Sequence, residues 1–378
     1  MKAEQKRALA TVLVIFLATV TGLEIWMHIV RLLFPALPPT FNPDLYRGTA
    51  PEGNSWLEPW QRWDTPQYQA IAERGYAAFD TAYFTPPLFP WLMRWSAWIF
   101  GGNTLAAGLF VSAMAFLASL MTLYWLACYE LENDQDALRA VLYLAFFPTA
   151  FFLVAAYSES LFLLAAMNSL YNARRSRWLP AGVWGGMAAL SRLSGAFLLV
   201  PLLYAAWQAL KTGDRRGWQA PFVASLGAAF YPLYVWIGLN QRPLIILKAQ
   251  YARGGKLFVP GWNLMVAAVR IAQGHLVEEN LIELSFTVLF IILSVFIWKK
   301  LPRLYGIYTL TLLLFFLARL GSPQPLVSMG RYVLEIFPAF LVLACWGRKA
   351  WAQRLILYVF WSGWLFFSAQ FAMWGWVG

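Results

Sequence analysis

The chain has 378 residues, of which 60% are hydrophobic and only 12% are Asp, Glu, Lys or Arg, where a soluble domain carries ~25% charged residues. Apolar runs of about 20 residues recur from end to end, each long enough to cross a hydrocarbon core as a helix, which excludes an ordinary soluble enzyme and marks an all-α polytopic membrane protein. The net charge of +11 lies in short basic clusters between apolar runs, a pattern of membrane orientation and not of nucleic-acid binding. Cys128 and Cys345 are too few for a disulfide framework, and His28 and His275 have no partners at zinc-ligand spacing.

In chain order, Lys2, Lys6 and Arg7 precede an apolar stretch from Ala8 to about Val30. It is too long for a signal-peptide core and has no cleavage site, so it reads as a retained first span. Further spans are expected near 104–127, 137–156, 157–173, 178–192, 194–210, 218–239, 281–298, 303–320, 332–346 and 352–374, about eleven in all. With the N-terminus inside, the basic clusters Arg174-Arg175-Ser176-Arg177, Lys211 with Arg215-Arg216, Lys299-Lys300 with Arg303, and Arg348-Lys349 with Arg354 all fall on the inner face. The acidic loop Glu130 to Asp136 shares that face, but acidic residues weigh little in this rule.

Two stretches, 36–103 and 240–280, then lie outside and are large enough to hold chemistry within a single integral membrane domain, 1–378. There is no phosphate-cradling glycine motif and no internal repeat. The outer face has no nucleotide-activated donors, so group transfer there calls for a lipid-carried one.

Residues 62–76, RWDTPQYQAIAERGY, place Thr65 as the cap of a short helix whose first position is Pro66. Tyr68, Ile71, Ala72 and Gly75 form one apolar face, with Gln69, Glu73 and Arg74 pointing elsewhere, as in an amphipathic helix lying at the interface. Asp64, beside Arg62 and Trp63, is open to two readings: a helix cap, or a general base accepting a proton from an attacking hydroxyl. The segment from Asp80 to Trp91 interleaves prolines with aromatics and is expected to be a stiff, partly buried loop.

Glu159 stands in an apolar setting, where a charge is costly and is usually paired or functional. Arg192 reaches the same outer level, which makes a Glu159–Arg192 ion pair an expectation. Arg242, Lys248, Arg253, Lys256, Arg319 and Arg331 are candidate phosphate ligands, since a fixed guanidinium stabilises a leaving phosphate by charge-assisted bonds. Arg331, followed by Tyr332, is favoured and Lys248 comes second. Lipid headgroup contact is the alternative role for each of these basic residues.

Four stretches resemble the family of PIG-V, the second mannosyltransferase of glycosylphosphatidylinositol assembly, and its prokaryotic homologues. They are RWDTPQYQAIAERGY with PLFP at 87–90, FFPTAFFLVAAYSESLF at 146–162, ALSRLSG at 189–195 and SMGRYVLEIFP at 328–338, in the family's order. One departure is Thr85-Pro86 where the family has an aromatic pair. The resemblance implies the GT-C glycosyltransferase fold, with interfacial helices in its outer loops. It also implies a polyprenyl-phosphate mannose donor and an essential Asp, here Asp64, with Trp63, Glu159, Arg192 and Arg331 near the active site.

The expected reaction is an inverting transfer of mannose to a glycolipid or glycan hydroxyl, with Arg62, Trp63, Tyr68, Asp80, Glu159, Arg192, Lys248, Arg331 and Tyr332 contacting substrates and membrane lipid around them. No cofactor is required, although a divalent ion at Asp64 and Asp80 is compatible with the residues. The compact length points to the cytoplasmic membrane of a prokaryote, or to the endoplasmic reticulum if the source is eukaryotic. Two rivals are a GT-C enzyme for another lipid-phosphate sugar and a transporter. The second is disfavoured because the charges cluster at the outer boundary and not at the midplane.

Overall fold

The structure, a computed structural model, describes residues 3–34, 43–274, 278–321, 324–375 and 377. His275 lies outside the described residues. The chain forms two compact units, one made of 1–79, 87–167 and 340–377, the other of 80–86 and 168–339.

The first unit opens with α1 (Ala3–Leu33), followed by α2 (Thr65–Arg74), α3 (Leu88–Ser96), α4 (Thr104–Leu131), α5 (Asp134–Ala145) and most of α6 (Glu159–Arg174). Asn103 and Asn133 start α4 and α5, each side chain accepting a bond from a first-turn N–H, of Ala106 and Asp136 respectively. α5 stops at Ala145, shortly before Pro148, because the residue preceding a proline is driven from the helical region. Residues 147–158 then run buried as tight turns, with a 3-10 turn at Ala150–Leu153. The expected span over 137–156 is therefore not a continuous helix. The segment Asp80–Trp91 is partly helical: Pro87 precedes α3, and Pro90 is tolerated because it falls in the first turn.

The second unit contains α7 (Trp178–Ser191), α8 (Leu199–Lys211), α9 (Gln219–Leu233), α10 (Leu244–Gly254), α11 (Trp262–Ala272), α12 (Glu278–Lys300), α13 (Arg303–Ala318) and the single turn α14 (Met329–Tyr332). Two short strands, β1 (Lys256–Leu257) and β2 (Arg319–Leu320), pair antiparallel with Lys256 opposite Leu320. α7 and α9 cross backbone to backbone: a Cβ on Gly227 would lie 2.3 Å from the Gly186 Cα. The chain then forms α15 (Pro338–Trp346) and α16 (Ala350–Ala372), which packs on α1 in the first unit.

Among the described residues, six helices are long and apolar enough to cross a membrane, and the pair Met329–Glu335 and Pro338–Trp346, bent by 89°, makes up to seven. The expectation of eleven counted apolar runs whose helices are short. The 14 residues of α7 span only about 21 Å at 1.5 Å per residue, and the run 332–346 is broken at its bend.

Candidate active site

The first unit gathers Arg62, Trp63, Asp64 and Tyr68. Thr65 N–H donates to the Arg62 carbonyl at 3.0 Å, closing a turn in which Trp63 has φ 52° and Asp64 has φ −81°, ψ −19°. Positive φ at the second turn residue favours Gly. A tryptophan there costs about 1–3 kcal/mol, and such strain collects at functional sites.

Several contacts hold it. The Trp63 indole donates to the Gly375 carbonyl at 3.2 Å, and the buried Arg62 guanidinium bonds Glu58 Oε1 at 2.8 Å and the Ala372 carbonyl at 3.2 Å, with the Trp374 ring 4.5 Å away. Burial, and then the neighbouring Arg31 charge, push the Arg62 pKa down to about 9, so it stays charged at neutral pH.

Asp64 occupies the cap position of α2, but its side chain makes no capping bond. Its Oδ1 accepts instead from Gln67 Nε2 at 2.9 Å. The cap reading of Asp64 is thus set aside, as is the expectation that Thr65 caps the helix: Thr65 is its first residue, and its buried hydroxyl has no hydrogen-bond partner among the described residues.

α2 is also not an interfacial helix, for every residue from Thr65 to Ala72 is buried. Gln69, expected to face away, is drawn inward by bonds with Gln61 at 3.0 Å and Thr104 at 3.3 Å. Glu73 and Arg74 are exposed as expected. Tyr68 shares a 2.8 Å hydrogen bond with Ser158. Glu159, buried, begins α6, where the positive end of the helix dipole favours a carboxylate.

The second unit gathers Arg192 and Tyr332. Arg192 Nε lies 2.8 Å from Glu335 Oε1, an ion pair within the second unit. The Tyr332 ring stacks on Phe316 at 5.1 Å, with the Arg319 guanidinium 4.6 Å and that of Arg192 5.8 Å from its centroid. Arg331, in α14, is 8% exposed, and the preceding Gly330 N–H donates to the buried Glu283 carboxylate at 2.6 Å. Lys248 and Asp80 are exposed, and among the described residues no hydrogen bond or ion pair joins either to these clusters. Asp64 and Asp80 belong to different units. Among the described residues no three His, Cys, Asp or Glu side chains are grouped as metal ligands.

Glu335 and Glu283 were legible by the rule that drew attention to Glu159, a carboxylate within an apolar run. Tyr157 and Gln67 carried no such signal. Tyr157 meets the Asp64 backbone across 93 residues of chain.

A family profile described as dolichyl-phosphate-mannose-protein mannosyltransferase matches residues 85–237, a range that includes Glu159 and Arg192 and begins after Asp64. GPI mannosyltransferase 2 of Yarrowia lipolytica is 28% identical over 172 residues, 44% of this chain and 47% of that protein. Among solved structures, ArnT from Cupriavidus metallidurans bound to undecaprenyl phosphate aligns with TM-score 0.53 and 16% identity, over 76% of this chain and 57% of that one. The archaeal oligosaccharyltransferase AglB from Archaeoglobus fulgidus aligns with TM-score 0.45 and 11% identity, over 99% of this chain and 56% of that one. The chain thus spans about half the length of the relatives it matches.

The fold is that of the GT-C class of membrane glycosyltransferases. Over 44% of its length the chain is similar to a GPI mannosyltransferase, and its four ordered stretches resemble the PIG-V family.

Proposed function

We propose that this protein transfers mannose from a polyprenyl-phosphate donor to a hydroxyl of a glycolipid or glycan acceptor, on the outer face of a prokaryotic cytoplasmic membrane. The observation that carries the reading is the Asp64 carboxylate, which sits on a strained turn before α2, makes no capping bond, and accepts a hydrogen bond from Gln67. Asp64 takes the proton of the acceptor hydroxyl as that oxygen bonds to the anomeric carbon. The bond from that carbon to the phosphate oxygen breaks, and the phosphate leaves with the electron pair. Positive charge at the departing phosphate stabilises it through charge-assisted bonds, which strengthen as charge develops. Attack opposite the leaving group inverts the configuration, so a β-linked donor yields an α-linked product.

General-base help contributes about 10²–10⁴-fold. The test is release of free polyprenyl phosphate from polyprenyl-phosphate mannose by purified protein, with membrane lipid extract supplying the acceptor. Wild type turns over and a folded Asp64→Asn variant is slower by about 10²–10⁴-fold. Equal rates in both overturn the base assignment, and turnover only with a donor carrying another sugar overturns mannose.

A further inference from the structure

We infer that Tyr157 is a positioning residue whose hydroxyl holds the Arg62-Trp63-Asp64 turn in the shape that presents the Asp64 carboxylate. The inference rests on the reading of Asp64 as the base.

Tyr157 is fully buried, and its hydroxyl meets the backbone on both sides of Trp63. It accepts from the Asp64 N–H at 3.1 Å and donates to the Arg62 carbonyl at 3.2 Å. A phenolic hydroxyl has one proton and acceptor lone pairs, so one atom serves both backbone groups. The residue bridged in this way is the one with φ 52°, a conformation that a tryptophan does not hold by its own preference. Releasing the bridge lets Trp63 relax toward negative φ, and because Asp64 is the next residue, its carboxylate turns with the backbone.

The tyrosine is itself well placed to act as a fixed post. Its ring stacks on Phe152 at 5.4 Å and meets Phe371 edge-on at 6.3 Å. Its carbonyl accepts from Ser112 Oγ at 3.0 Å. α4 lies tight against the segment, since a Cβ on Gly108 would stand 2.8 Å from that of Ala156. The adjoining Ser158 bonds Tyr68 on α2, so two consecutive residues of the buried turn fasten the start of α2. This anchoring converges on the backbone that carries Asp64.

The test compares purified Tyr157→Phe, Ser112→Ala, Asp64→Asn and the double variant Tyr157→Phe/Asp64→Asn in the polyprenyl-phosphate release assay. Binding of free polyprenyl phosphate and thermal unfolding midpoints in detergent are measured beside it. Phenylalanine keeps the ring packing and removes only the bridge, while Ser112→Ala removes a hydrogen bond to the same tyrosine without touching the turn. The expected result for Tyr157→Phe is a fall in kcat of about 10²-fold, as for a misplacement near 1 Å, with KM and polyprenyl-phosphate affinity unchanged. Ser112→Ala keeps its kcat. In the Asp64→Asn background, Tyr157→Phe lowers the residual rate no further, because groups that act as one unit are not additive.

A wild-type kcat in Tyr157→Phe, with Asp64→Asn slowed, overturns this inference and leaves the base intact. An equal loss of kcat in Ser112→Ala, or lost phosphate affinity in Tyr157→Phe, reduces Tyr157 to a structural role and also overturns it. A wild-type rate in Asp64→Asn overturns the base assignment itself.

Discussion

In the proposed reaction Asp64 acts through geometry as well as charge, and a conservative replacement separates the two. Glutamate keeps the carboxylate and carries it one methylene further from a backbone fixed by Trp63 and Arg62. Asp64→Glu is therefore expected to lose about 10²-fold in kcat, the scale of a 1 Å misplacement, in the same polyprenyl-phosphate release assay. Arg62 is as demanding. Its planar fork reaches Glu58 Oε1 and the Ala372 carbonyl together and lies over the Trp374 ring. Lysine is a point charge without that fork, and Arg62→Lys is expected to cost about 1–3 kcal/mol of stability, read as a lowered unfolding midpoint in detergent. The sequence singled out both residues, but their assignments came from different routes. Asp64 rested on a polar residue at a helix start, which its side-chain bonding to Gln67 reinterprets, whereas Arg62 was expected to touch substrate and is enclosed in protein at 1% exposure.

At the scale of elements, close packing sets the tolerances. Gly186 and Gly227 let α7 and α9 touch through their backbones, as small residues do between membrane helices. Gly227→Ala forces the two helices apart and is expected to destabilise by about 1–3 kcal/mol, the usual cost of overpacking; an unchanged thermal midpoint would show that the helices can separate without loss.

The acidic loop Glu130 to Asp136, expected on the inner face against the charge rule, has its own explanation. Asp136 is fully buried, pairs with Arg139, and bonds Arg348 Nε at 2.7 Å from the loop between α15 and α16. It holds the Arg348 guanidinium above its usual pKa. Asp136→Ala leaves both arginines without that carboxylate and is expected to cost about 3 kcal/mol, the lower end for a broken buried pair because Arg348 is 57% exposed. The midpoint of thermal unfolding reads that loss directly. Helix starts at Asn103 and Asn133 are local signals and could be read from the chain, but the buried turns of 147–158 could not, because apolar composition looks the same in a span and in a packed loop.

For the whole molecule, the orientation of the chain is open to a labelling test. Gly53 and Ser176 are both exposed, one in the loop expected outside and one in a basic cluster expected inside. In a chain with Cys128 and Cys345 replaced by Ser, a membrane-impermeant maleimide added to intact cells is expected to label Gly53→Cys and to spare Ser176→Cys until the membrane is opened. Labelling in the reverse order would invert the topology and move Asp64 to the inner face.

Composition and apolar run length determined by themselves that this is a helical membrane protein, because the bilayer imposes the same requirement on every spanning segment. The order of four motifs pointed to the GT-C fold. Which side chains meet was decided only by the tertiary structure. The Arg192–Glu335 pair, the burial of α2 and the Tyr157 bridge each join residues far apart in the chain, and their partners depend on how helices pack, which no local pattern of residues encodes.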